Sequence, residues 1–140
     1  MNTLLPRRQL LALSLLPLAP ARATPEALAA AIRAHTGGAP LASGRVEIEI
    51  AELVENGNTV PVTLRVGGEG AVRSLALFTE RNPQPEVAVF HFSARTPRLE
   101  VHTRIRLATS QALVAVATGA DGRCWQRRVE VLVTLAACIE

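Results

Sequence analysis

The 140-residue chain has no lysine and no tyrosine, one tryptophan, three phenylalanines and two cysteines. So few aromatics argue against a single-stranded nucleic-acid surface, which stacks bases on such rings. Charge argues the same way, because a nucleic-acid footprint needs clustered basic residues. All 15 basic residues are arginines, and they are interspersed among 12 acids. His35, His91 and His102 are far apart, and no H-x-x-x-H or C-x-x-C spacing occurs, so no metal site or cofactor is expected. Gly67-Gly68-Glu69-Gly70 lacks the Lys-Ser/Thr and the strand-to-helix setting of a phosphate-cradling loop. The apolar run Leu10–Leu18, interrupted by Ser14 and Pro17, is too short to cross a bilayer as a helix, so no membrane anchor is expected.

That run instead reads as the core of an export signal over residues 1–23. Arg7-Arg8 form its charged start, and Ala21-Arg22-Ala23 is an A-x-A cleavage site. Paired arginines before Gln9-Leu10-Leu11 resemble a twin-arginine signal, with an ordinary secretory signal as the plainer alternative. Periplasmic localisation is expected by either route. Cleavage would remove Arg7, Arg8 and Arg22, leaving twelve arginines against twelve acids and a formally neutral chain.

Residues 24–43 read as a short helix and a linker. Thr24 is the N-cap, Pro25 takes the first helical position, Leu28 and Ile32 form a narrow apolar stripe, and Gly37-Gly38 ends the helix. From residue 44 to 140 the periodicity becomes two. Val46, Ile48 and Ile50 alternate with Glu47 and Glu49, and after the Asn56-Gly57-Asn58 turn Val60, Val62, Leu64 and Val66 alternate again. Pro61 suggests an edge position or a strand start. Val72–Phe78 is a third strand, and Arg81-Asn82-Pro83-Gln84-Pro85 is a stiff loop. In the next strand Val87, Val89 and His91 should share one face, with Ala88, Phe90 and Phe92 on the other. Leu99 to Leu107 alternates with His102, Arg104 and Arg106, and Ala112–Thr118 with Cys124–Ala137 reads as a hairpin around Gly119–Gly122. The expected fold is all-β, an antiparallel sandwich of about seven strands with a short N-terminal helix.

The two cysteines are expected to differ. Cys124 and Cys138 bound what reads as one strand, a separation of roughly 46 Å if it is continuous. A disulfide between them would need the tail to fold back, because bridged Cα atoms lie within about 7 Å. Cys124 therefore reads as a core thiol. Cys138, with only Ile139-Glu140 after it, reads as solvent-exposed on a frayed end and able to carry a covalent cargo. Trp125 is expected in a core or interface. A Cys–His nucleophilic pair would need a pocket around the thiol, so catalysis by this chain alone is not supported.

Ordered motifs in this chain resemble the SoxY sulfur carriers of bacterial thiosulfate oxidation. They are Glu55-Asn56-Gly57-Asn58-Thr59-Val60-Pro61-Val62, Arg81-Asn82-Pro83-Gln84-Pro85, Val87-Ala88-Val89-Phe90-His91-Phe92, Thr103-Arg104-Ile105-Arg106-Leu107-Ala108, Asp121-Gly122 and Val133-Thr134-Leu135-Ala136-Ala137-Cys138. The resemblance runs from about Gly44 onward. It implies an immunoglobulin-like sandwich, a SoxZ-like subunit as heterodimer partner, and covalent attachment of thiosulfate-derived sulfur at Cys138. It also implies a periplasmic c-type cytochrome that conjugates the thiosulfate and a hydrolase that releases sulfate. The best-known members end in Gly-Gly-Cys-Gly-Gly, whereas here Ala136, Ala137, Ile139 and Glu140 flank the cysteine, giving a slim but stiffer arm.

The sequence leaves three readings open. The first is a non-catalytic sulfur-carrier subunit. The second is a SoxY-like binding module associated with a quinoprotein dehydrogenase, without thiosulfate carriage. The third is a small thiol-redox enzyme. Oxidation should in addition give a Cys138-linked homodimer.

Overall fold

The structure, a computed structural model, describes residues 24–137. The leader expected over residues 1–23 and the tip Cys138-Ile139-Glu140 lie outside the described residues. Helix α1 spans Pro25–Thr36. The Thr24 hydroxyl accepts from the Ala27 N–H, and Gly37 closes the helix at φ +66°. Nine strands come after it: β1 (Leu41–Ser43), β2 (Val46–Glu49), β3 (Leu53–Val54), β4 (Val60–Val66), β5 (Val72–Thr79), β6 (Glu86–His91), β7 (Glu100–Ile105), β8 (Gln111–Gly119) and β9 (Cys124–Val133). None of the described helices is long and apolar enough to cross a membrane.

The strands form two sheets, and the fold is all-β with one short helix. The larger sheet runs β1-β9-β8-β5-β6, with β3 also paired to β9; the smaller is β2-β4-β7. Inward residues of both sheets meet in one core. Val60, Val62, Leu64 and Ile105 of the smaller sheet pack with Leu75, Leu77, Leu113, Ala115 and Val131 of the larger. The outer face of the larger sheet is covered by α1, whose Leu28 packs with Phe78, Val114, Val116 and Cys124. All nine residues of β8 are consequently buried, whereas β4 alternates between buried and open positions.

Three features depart from the sequence-based expectation, and one open alternative is decided. Strand β1 falls where a linker was expected and β3 in the stretch before the Asn56–Asn58 turn, which was given no element; both pair in parallel with β9. Pro61 is not on an edge strand, because β4 lies between β2 and β7; it stands at the strand start, before the β2 pairing begins at Thr63. In β6, Leu77 opposes Ala88 and Phe78 opposes Glu86, so Val87 is the extra residue of a bulge. Val87 thereby joins Phe90 and Phe92 against the main core, while Val89 faces the helix side. Finally β9 ends at Val133, not at Ala137.

Candidate functional site

Beyond β9 the chain is neither strand nor free arm. Ser110 Oγ accepts from the Val133 N–H at 2.8 Å as the strand ends. The Thr134 N–H then donates to the Val54 carbonyl (3.0 Å) and the Leu135 N–H to the Glu55 carbonyl (3.2 Å). Gly57 N–H donates to the Leu135 carbonyl (2.8 Å), and Ala137 N–H to the Leu107 carbonyl (3.1 Å). The Thr134 hydroxyl adds a bond to the Glu55 carbonyl at 3.1 Å. Ala137 is only 9% exposed. The run expected to continue the strand to Ala137 is instead docked through the residue before Cys138, because two loops offer it unpaired backbone groups.

Those loops are themselves fixed. The Leu107 N–H donates to the Gly57 carbonyl at 2.8 Å, tying the 54–57 loop to the residues after β7. Behind Leu107 lies a buried amide pair, Asn82 and Gln111. Asn82 Nδ2 donates to the Arg106 carbonyl (2.8 Å), and its Oδ1 accepts from the Ala108 N–H (3.0 Å) and Gln111 Nε2 (2.8 Å). Gln111 Oε1 accepts the N–H groups of Arg81 and Asn82. Every bond made here satisfies a group that burial would otherwise penalise. The stiff loop read from Arg81–Pro85 is the outer wall of this bracket.

Side chains around the tail are apolar and open to solvent. Among the described residues, the large hydrophobics that stand out are Leu53 (58% exposed), Leu132 (62%) and Leu135 (60%). Leu53 is directly opposite Leu132 in the β3–β9 register.

The remaining sequence candidates lie elsewhere. Cys124 is 2% exposed and free; its thiol donates to the Gly122 carbonyl and lies against Thr118 Oγ1, both at 3.7 Å. It is the core thiol the sequence suggested. Trp125 is in the core, with the Arg45 guanidinium stacked 4.3 Å from its ring centroid. His35 meets the edge of Phe78, and His91 is exposed at the end of β6. His102 shares a hydrogen bond with Thr63 Oγ1 through Nδ1 (2.9 Å) and one with Glu100 through Nε2 (2.6 Å). Arg65 bridges Glu49 and Glu100, and it is first Arg65 and then His102 that hold the Glu100 carboxyl below its ordinary range. That cluster is a solvated ionic face of β2, β4 and β7. Among the described residues no group of three His, Cys, Asp or Glu is arranged to hold a metal.

Sequence reasoning missed what supports the chain that leads to Cys138. Gly57 is legible in the sequence only as a turn residue, and the Asn82–Gln111 pair gives no signal, because their partners are distant in sequence.

Comparison with known proteins fits this geometry. The family model described as sulfur oxidation protein SoxY matches residues 32–138. The match reaches back into α1, further than the resemblance seen from Gly44 onward. Among solved structures, the sulfur carrier protein SoxY from Chlorobium limicola f thiosulfatophilum is similar, with 33% identity and a TM-score of 0.70 over 79% of this chain and 98% of that one. Superoxide reductase (neelaredoxin) from Ignicoccus hospitalis aligns at 20% identity and a TM-score of 0.58, over 64% of this chain and 80% of that one. The superoxide reductase from Nanoarchaeum equitans aligns at 16% and 0.54, over 66% of this chain and 100% of that one. The superoxide reductases share the fold alone. No curated protein matches the chain.

Proposed function

The chain belongs to the SoxY family of sulfur oxidation proteins, and on that footing we propose that it carries sulfur-oxidation intermediates covalently on Cys138. The observation that supports this most is the contrast between the two thiols. Cys124 is enclosed and already engaged, whereas the chain leading to Cys138 is held against the domain beside exposed leucines. Cys138 is therefore the thiol for carriage, and Leu53, Leu132 and Leu135 are where a processing enzyme would touch the domain.

The chemistry is exchange and oxidation at sulfur, with the chain acting as a non-catalytic substrate of other enzymes. Joining thiosulfate to the thiol forms an S–S bond, releases the thiol proton and gives up an electron pair, which a c-type cytochrome would accept. Water then cleaves the terminal S–S bond, leaving a persulfide on the cysteine and releasing sulfate and protons. Attack of an acceptor thiolate on the outer sulfur then breaks the persulfide S–S bond, moves that sulfur to the acceptor as a new persulfide and releases the carrier thiolate. A SoxZ-like chain is the subunit partner, and the twin-arginine-like leader supports a periplasmic location. A disulfide-linked homodimer through Cys138 is the form expected when the partner is absent.

Intact-mass spectrometry of protein from thiosulfate-grown cells, with and without reductant, tests the reading. Reductant-sensitive sulfur adducts mapping to Cys138, and lost in Cys138→Ser, are the expected result. A bare thiol throughout would overturn carriage and favour the binding module associated with a quinoprotein dehydrogenase.

A further inference from the structure

We infer that Gly57 is a positioning residue for Cys138, an inference that rests on the carrier reading. The basis is how much reach the docked tail gives up. Four residues lie between Val133 and Cys138, and fully extended the five Cα–Cα steps would span about 17 Å. With Ala137 anchored, the cysteine is one residue from the last fixed point, a Cα–Cα step of about 3.8 Å. The docked tail therefore uses up all but the last step of that reach.

Gly57 sits where that anchoring is decided. It donates its N–H to the Leu135 carbonyl and accepts the Leu107 N–H, both at 2.8 Å. A Cβ at this position would meet the Leu107 carbonyl oxygen at 2.4 Å, the Ala137 nitrogen at 3.0 Å and Val133 Cγ1 at 3.1 Å. The first two atoms are the acceptor and donor of the last bond before Cys138. Any side chain at residue 57 would be a wedge driven into that bond. Backbone conformation is not the reason for glycine, since Gly57 is not among the glycines with positive φ. Space is.

The wedge has one direction in which to act. Leu107 cannot retreat, because the carbonyl of Arg106 and the N–H of Ala108 on either side of it are both bonded to buried Asn82. The tail is held by four backbone bonds at the surface, each worth about 1 kcal/mol. It is the part that yields. Gly57 thus sets where the cysteine leaves the domain, and an enzyme whose pocket is deeper than one residue must peel the tail off Gly57 and Leu107.

The test uses the processed full chain with a maleimide nitroxide on Cys138, compared with Gly57→Ala and Ala137→Pro. The proline removes the N–H that bonds Leu107 and leaves the sandwich core untouched, so it decides the matter if Gly57→Ala fails to fold. In both variants the spin-label spectrum should narrow, and Thr134 and Leu135 amides should exchange about fivefold faster, the equivalent of one lost bond. A role confined to stability would lower the unfolding midpoint of Gly57→Ala without narrowing the spectrum of the folded protein. Wild-type label mobility in both variants would overturn the inference. Absence of sulfur adducts on wild-type Cys138 would instead overturn the carrier reading and leave the label result standing.

Discussion

Strand β9 begins at one cysteine and leads toward another, and its two ends are held by different means. At the turn end, side chains do the holding. Cys124 is buried under α1, and the Arg45 and Arg123 guanidinium groups lie 4.3 and 5.4 Å from the Trp125 ring centroid. Strand β1 covers the outer edge there, with Leu41 opposite Cys124. At the tail end the holding is done by main-chain bonds to Val54, Glu55, Gly57 and Leu107, while Leu132 and Leu135 face solvent. Packed side chains open only when the domain unfolds, but surface backbone bonds open locally. One strand therefore carries a sealed thiol at one end and a lightly latched segment at the other. A carrier needs both, since a second reactive thiol would compete for the cargo.

The contrast breaks most directly in a thiol-labelling time course. One thiol per chain should react at once with an aromatic disulfide reagent, and the fast phase should vanish in Cys138→Ser and persist in Cys124→Ser. Cys124 should lag by about a thousandfold or more, because exposing it costs a core opening of several kcal/mol. Two fast phases would mean that the turn end is not sealed.

Substitutions sharpen the same comparison through stability. Trp125→Ala should cost about 3–5 kcal/mol in urea unfolding, the range for a large aromatic removed from a core. Leu135→Ala, at the open end, should stay within about 0.5 kcal/mol. Arg45→Ala falls between them, at about 1–2 kcal/mol. It loses the stack on Trp125 and the bonds from Nε and Nη2 to the carbonyls of Gly67 and Gly70, at 2.8 and 3.2 Å. It also leaves a non-glycine residue at φ +60° with nothing to hold it there. Equal costs for Trp125→Ala and Leu135→Ala would erase the distinction.

The turn end was the more legible of the two from sequence. The Gly119–Gly122 turn, the alternation of β4 and β7, and the Thr24-Pro25 cap are local signals, and local signals survive without a structure. Strands of three and two residues, β1 and β3, are too short to show a period and exist because β9 has a free edge to fill. The bulge at Val87 depends on the partner strand. The run Val133-Thr134-Leu135-Ala136-Ala137 contains no breaker and so reads as continued strand. What stops it is the set of acceptors presented by residues 54, 55 and 107. Gly57 is the sharpest case. Its sequence context announces a turn, and its importance lies in atoms that are 50 and 80 residues away.

Acid should separate the two ends by the smallest margin. Glu80 is paired to Arg128 in the middle of β9 at 3.2 Å, and the Arg128 hydrogen bond holds the Glu80 carboxyl below its ordinary 4.5. At the turn, the Arg123 N–H and then its guanidinium hold Asp121 below its ordinary 3.8. A carboxyl with a depressed folded value binds fewer protons folded than unfolded, so its stabilisation is complete above the unfolded value and is lost as pH falls through the folded one. Unfolding free energy should therefore decline from about pH 5 downward, and Glu80→Gln should remove part of that slope at a neutral-pH cost below about 1 kcal/mol. The four tail bonds join only main-chain groups, which do not titrate in this range. A nitroxide on Cys138 should keep its mobility while the rest of the domain weakens. A label that loosens in step with the unfolding free energy would show that the latch and the sandwich open as one unit.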